Sequence, residues 1–407
     1  MTVEALPQHS QPAAAHPEGL GRRQVHAVAA CYFVASFAAL GLPPYLTAIL
    51  PGLGDPQARW AGVLYIVPTV FSGLGAPLWG RLADRFGRKR LLLRAQLGLT
   101  VSFLLAGAAD SLPAFTLALV LQGFLGGTFA ATNGYLAAAL DGSRLSRALT
   151  LMQGSARAAL VAAPILVGAL SPWIDPHRQY LVMAVLPLTA AVFLSLLPEP
   201  TLHEAPEAAA GRASAKTASA PLLTLYAFEF VFVFATVISF PYLIALAEQR
   251  LPGVDGTTTG VLFALPHLCY LVFASRTHRA FDSRPHTGIA LGFGFVALGL
   301  AGHAVAYSLP VFIAVRLLLG AGLTLGLVCL AVLAAGAAKG RPPGRMFGTL
   351  ELVSKGGAVA AGAVAALANG RFGAAAPVVA GTAAALLAAV AATALTLPSL
   401  RQRWSRR

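Results

Sequence analysis

Long apolar runs recur along the whole of this 407-residue chain, parted by short polar stretches. A helix needs about 20 apolar residues to cross a hydrocarbon layer about 30 Å thick. By that measure the pattern predicts twelve spans, at about 26–50, 60–80, 91–109, 113–138, 146–170, 179–197, 221–246, 257–276, 287–307, 310–336, 345–369 and 374–397. An even number of spans puts both ends of the chain on one side. Arg22 and Arg23 precede the first span, and a run ending in Arg406 and Arg407 follows the last. Basic residues flanking apolar spans mark the cytoplasmic side. The expected fold class is an all-α membrane protein with twelve transmembrane helices and both termini in the cytoplasm.

The same pattern divides the chain. Residues 1–25 are polar and rich in Pro and Ala, which predicts a disordered cytoplasmic tail. The longest internal polar stretch, 198–220, predicts a flexible cytoplasmic linker. It separates six spans at 26–197 from six at 221–397, and residues 398–407 form a basic tail. The two halves repeat. An offset of 198 residues carries GVLYIVP, Gly62 to Pro68, onto GVLFALP, Gly260 to Pro266. It also carries Asp84 onto Asp282, Arg147 onto Arg345 and Arg157 onto Lys355. With a slip of one residue, Pro44-Tyr45-Leu46 falls on Pro241-Tyr242-Leu243. Two pseudo-symmetric six-helix bundles around a midplane site are a common transporter plan. Arg22-Arg23 also has the form of a twin-arginine signal, but the many spans that follow make the first run an uncleaved helix.

Composition agrees. Hydrophobic residues make up 57% and charged residues 11%, with a mean hydropathy of +0.73; a soluble protein carries about 25% charged residues. The net charge of +14 does not imply a nucleic-acid partner, because most of the basic residues fall on the cytoplasmic side of the predicted topology. Cys31, Cys269 and Cys329 all fall in apolar spans and read as small buried hydrophobes, so neither a disulfide set nor a metal site is expected. No G-x(4)-GK[ST] string points to ATP-driven pumping, and no G-x-S-x-G or H-E-x-x-H string points to a hydrolase. No cofactor is expected, and the chain does not read as an enzyme.

Three stretches carry more than topology. The stretch GRLADRFGRKR, Gly80 to Arg90, resembles the loop between helices 2 and 3 of the major facilitator superfamily, whose pattern is G-x-L-a-D-r-x-G-r-k. Gly80, Leu82, Ala83, Asp84, Arg85, Gly87, Arg88 and Lys89 match it, and the resemblance implies a conformational switch. The second copy keeps Asp282 without the glycines. In the fifth span, Gly154, Ala163, Pro164 and Gly168 resemble the G-x8-G-P-x3-G pattern of exporters in that superfamily, with Ala163 where Gly is usual. The resemblance implies efflux. In the fourth span Gln122-Gly123 is present, but Leu119 stands where the family carries an arginine. Arg316 in the tenth span could take that proton-coupling role, or could snorkel to the outer surface.

Ions inside the spans are the sharper signal, since they are costly there and mark functional sites. Glu229 lies eight residues into the seventh span, about 12 Å deep at about 1.5 Å per residue. Arg157 and Lys355 are each ten residues, about 15 Å, beyond their basic neighbours Arg147 and Arg345. One turn before them stand Gln153 and Glu351. Glu351 and Lys355 could simply neutralise each other at i, i+4. Tyr32, Asn133, His267 and Tyr270 could line a polar cavity or form interhelical hydrogen bonds. The resemblance as a whole implies a secondary transporter of the inner membrane, a monomer in lipid, that exchanges a small-molecule substrate for protons by alternating access. Glu229 or Glu351 would carry the proton. Buried cations point to an anionic metabolite such as a siderophore. An uptake symporter for an organic anion and a non-transporting scaffold or receptor are the alternatives.

Overall fold

The computed structural model describes residues 20–128, 131–132, 135–136, 140, 142–197, 220–338 and 343–396. The tail before Leu20, the linker at 198–219, Asn133 and the basic tail from residue 397 lie outside the described residues, so the expectations for them are untouched. Among the described residues, nine helices are long and apolar enough to cross a membrane. Three shorter apolar helices, Ala61–Ala76, Leu112–Leu125 and Gln179–Ser195, fill the places of the second, fourth and sixth predicted spans.

We number the helices α1 Arg22–Gly41, α2 Ala61–Phe86, α3 Arg88–Ala108, α4 Leu112–Leu125, α5 Gly142–Leu170 and α6 Gln179–Ser195 in the first half. The second half holds α7 Ala220–Val237, α8 Gly256–Phe281, α9 Pro285–His303, α10 Leu309–Ala338, α11 Pro343–Phe372 and α12 Ala376–Ala394. Local chemistry sets several boundaries. Gly87 makes the α2–α3 turn with φ +94°, a conformation that suits glycine alone. The Asp255 side chain caps α8 by accepting from the Thr258 N–H at 2.8 Å. Gly126 and Gly127 end α4, the latter with φ +82°.

The spans of α1 and α7 are both interrupted, and at repeat-related places. Beyond α1 the chain makes a 3₁₀ turn at Pro43–Tyr45 and a short helix at Leu46–Ile49. Beyond α7 it makes a 3₁₀ turn at Phe240–Tyr242 and a short helix at Leu243–Arg250. Proline lacks the N–H that would continue the α-helical ladder, so the break falls at Pro43-Pro44 and at Pro241.

Packing makes the halves real. In the first, α1 packs on α5 and α6, and α3 on α4 and α6; in the second, α9 packs on α10 and α12, and α7 on α11. Edge-on rings fill each interior, Tyr180 against Phe103 and Phe115, and Phe293 against Phe232. Large apolar side chains such as Leu74, Phe193, Leu387 and Val390 face outward, as a lipid-facing surface requires.

The halves meet at two crossings, α5 on α8 and α2 on α11. Both rest on glycine. A Cβ on Gly62 of α2 would stand 2.7 Å from the Gly362 carbonyl oxygen of α11, and one on Gly260 of α8 would run into the Pro164 carbonyl of α5. The offset of 198 residues carries Gly62 onto Gly260 and Pro164 onto Gly362, so the two crossings are copies of each other. Both lie at the end of the molecule away from the start of α1.

Candidate functional site

Between the halves lies a cavity of about 560 Å³. Its walls are largely apolar, with polar groups from Gln122 and Thr128 on one side and Glu229, Glu351, Ser354 and Lys355 on the other. Gly126 and Gly127, where α4 breaks, also line it. Irregular backbone at this depth is tolerated where it faces a cavity. The freed carbonyls are met by Arg94 of α3, which donates to the oxygens of Leu125 at 2.7 Å and Gly126 at 3.3 Å. Its guanidinium lies over the Trp79 ring, 3.5 Å from the centroid, and the Trp79 indole donates to the Phe124 oxygen at 2.6 Å.

The charged groups gather on one wall. Glu229 of α7 is half-buried, with Ser354 of α11 within hydrogen-bonding reach. Arg157 and Glu351 are both close enough for their charges to act on it. Glu351 Oε1 and Lys355 Nζ stand 3.6 Å apart, with 68% of the Glu351 side chain exposed and 35% of that of Lys355. At that exposure the pair contributes little to stability, about 0–1 kcal/mol, and either partner is free to meet another ion.

Arg157 sits behind the wall. Its guanidinium carbon lies 5.7 Å from the centroid of the Tyr270 ring, and Tyr32 and Glu229 are within its electrostatic reach. The sequence offers Arg157 no partner on its own helix; α8, α1 and α7 supply the compensation. Gln153, one turn away, is exposed. The fold thus brings Glu229, Arg157, Glu351, Lys355, Tyr32 and Tyr270 into one cluster, from five helices.

Two further candidates lie deeper in the second half. Arg316 does not snorkel: it is fully buried and donates Nε to the Leu262 oxygen at 2.7 Å and a terminal nitrogen to the Phe263 oxygen at 2.8 Å. His267 is buried with its ring against Phe240 and Phe263, and neither of its nitrogens has a hydrogen-bond partner among the described residues.

The two motif stretches are placed as follows. In the α2–α3 turn, Lys89 reaches the end of α6, donating to the Ser195 oxygen at 2.8 Å and to that of Leu197, and Arg85 lies over the Phe86 ring at 5.3 Å. Gly80, Asp84 and Arg88 have their backbone in α2 and α3. In α5, Gly154 has open space around it. Ala163 is buried against Gly41 of α1, while Pro164 and Gly168 meet Gly260 and Gly256 of α8.

Ser354 and the α4 break were missed in the sequence. The Gly126-Gly127 pair inside an apolar run was a readable signal for the break. Ser354 had none beyond its place beside Lys355.

The fold has clear counterparts. Residues 28–302 match the Major Facilitator Superfamily, and the chain belongs to that superfamily. Its all-helical architecture is that of a multi-pass membrane protein. It is 34% identical over 157 residues to the multidrug resistance protein MdtG of Serratia proteamaculans (strain 568), covering 38% of this chain and 36% of that one. It is 32% identical over 160 residues to MdtG of Dickeya zeae (strain Ech586), covering 38% of this chain and 39% of that one. The similarity thus spans little more than a third of the length of these relatives. Among solved structures, a POT family transporter in complex with 5-aminolevulinic acid superposes with a TM-score of 0.75 at 11% identity, over 93% of this chain and 98% of that one. The human organic anion transporter MFSD10 superposes with a TM-score of 0.66 at 20% identity, over 91% and 99%. At these identities the superpositions establish the fold alone.

Proposed function

We propose that the protein exports a small metabolite or drug across the inner membrane by proton antiport, with the two halves rocking about the cavity. The observation that carries this reading is Glu229. It is a half-buried carboxyl on the cavity wall, in contact with α11 through Ser354 and within the field of Arg157. A carboxyl so placed can hold either a proton or the attraction of a charged neighbour, and exchange between those states couples proton entry to substrate release. Export rather than uptake is favoured by the α5 motif and by the relatives, which are named for multidrug resistance. Lys355 on the wall, with Arg157 behind it, favours a substrate bearing an anionic group, as a siderophore or similar secreted metabolite does.

The test uses everted membrane vesicles from cells expressing the protein, energised to an inside-acid pH gradient. Labelled catecholate and carboxylate siderophores and a panel of drugs serve as probes. Export predicts accumulation of at least one probe inside the vesicles, abolished when the gradient is dissipated. Accumulation indifferent to the gradient would overturn the antiport reading, and accumulation only in right-side-out cells would replace export by uptake.

A further inference from the structure

Two buried tyrosines outside the site sit at the two crossings between the halves. Tyr45 and Tyr242 each end one of the 3₁₀ turns that interrupt the α1 and α7 spans. The interruption is what aims them. A continuous helix would leave each on its own helix face; the tighter turn after proline swings the ring into the seam.

Tyr45 donates its hydroxyl proton to the Pro164 carbonyl of α5, in its own half, at 2.6 Å, and stands beside the Thr259 hydroxyl of α8 in the other half. A side chain at Gly168 would collide both with this hydroxyl and with the Gly256 carbonyl, so the latch and the crossing depend on the same glycine. Tyr242 works in the reverse sense. Its hydroxyl accepts from the Gly62 N–H at 3.1 Å and donates to the Arg59 oxygen at 3.2 Å, both at the start of α2 in the other half. Asn369 of α11 is within reach on its own side. The Gly62 N–H belongs to the first turn of α2, where helix donors have no partner of their own. A hydroxyl from one half thus caps a helix of the other. Parting the halves breaks the two Tyr242 bonds, moves the Tyr45 hydroxyl away from Thr259 and opens the glycine crossings beside them, while the Tyr45–Pro164 bond stays within the first half.

We propose that Tyr45 and Tyr242 are paired positioning residues that hold this end of the transporter shut, and that their hydroxyls set how often it opens. The proposal rests on the alternating-access part of the proposed function and not on its substrate or its proton. Tyrosine is used rather than phenylalanine because only the hydroxyl bridges the seam, while the ring packs within it.

The experiment is pulsed electron resonance on full-length protein in lipid nanodiscs, without substrate or pH gradient. Spin labels go on Trp173→Cys and Gln249→Cys, exposed positions near this end in opposite halves, with the three native cysteines replaced. Tyr45→Phe and Tyr242→Phe each keep the ring. Tyr242→Phe should raise the ratio of separated to closed distances by about two- to tenfold, the span expected for one net hydrogen bond, and Tyr45→Phe, whose bond to Pro164 stays inside its own half, by less. The double variant should raise it by about the product of the two. Tyr180→Phe, buried inside the first half, should leave the distances unchanged. An unaltered ratio in the double variant overturns the proposal, as does an equal shift in Tyr180→Phe. A latch shift in a protein that moves no probe would overturn the export reading and leave the latch standing.

Discussion

Ser354 of α11 stands within hydrogen-bonding reach of Glu229 of α7, where two helices of one half meet at the cavity wall. The contact falls on an acid that lines the cavity within the field of Arg157. It makes Glu229 sharper as a coupling candidate than Glu351, whose side chain is mostly exposed and already paired with Lys355.

Glu229→Gln should therefore uncouple transport from the pH gradient. Gln keeps the size and can still hydrogen-bond but cannot carry a proton. Gradient-driven accumulation in everted vesicles should fall at least about tenfold, the loss expected for removal of a positioned proton-transfer group. Substrate exchange down its own gradient should persist. Unchanged accumulation would move the coupling role to Glu351.

Arg157 should be energetically coupled to Glu229. A cation at this depth costs at least about 2.5–3.5 kcal/mol on insertion scales, and Glu229 is part of what offsets it. Glu229→Gln alone should lower thermal stability in detergent, and adding Arg157→Gln should recover part of the loss. A double-mutant cycle should show a coupling of about 0.5–3 kcal/mol. Strict additivity would leave Tyr270 as the main partner of Arg157.

The α5 motif should split. Gly154 faces open space, so Gly154→Ala should transport at the wild-type rate. A Cβ at Gly168 would strike the Gly256 carbonyl and the Tyr45 hydroxyl, so Gly168→Ala should insert normally yet turn over at least about tenfold more slowly, as an overpacking strain of about 1–3 kcal/mol implies. Transport per inserted molecule is the comparison, and equal rates in the two variants would separate the motif from the crossing.

Gly87→Ala should destabilise the α2–α3 turn by about 1–3 kcal/mol, since its φ of +94° is a region almost closed to residues with a Cβ. Thermal unfolding of the purified protein reads this directly; no change would mean that the turn relaxes without strain.

A reporter domain inserted at Ala215, in the linker, should be cytoplasmic, because an even number of spans precedes it and the chain ends are basic. A periplasmic signal there would reverse the topology.

The sequence by itself determined the architecture. Twelve apolar runs, a repeat at an offset of 198 residues and glycines at matching places specify two similar six-helix halves, because a bilayer leaves the backbone few alternatives to the helix. It also put Glu229, Arg157 and Lys355 within helices rather than at their ends, since each residue advances a helix by a fixed rise. Azimuth was not legible in the same way. Whether Arg157 lines the cavity or lies behind it over Tyr270, and whether Arg316 turns outward or bonds the carbonyls of α8, depends on which face of a helix meets which neighbour. Spans apolar on nearly every side carry too weak a periodic signal to settle that. Only the tertiary structure decided that Ser354 meets Glu229, that Tyr45 bonds Pro164 and that Tyr242 reaches across the seam, because each contact joins segments far apart in the chain.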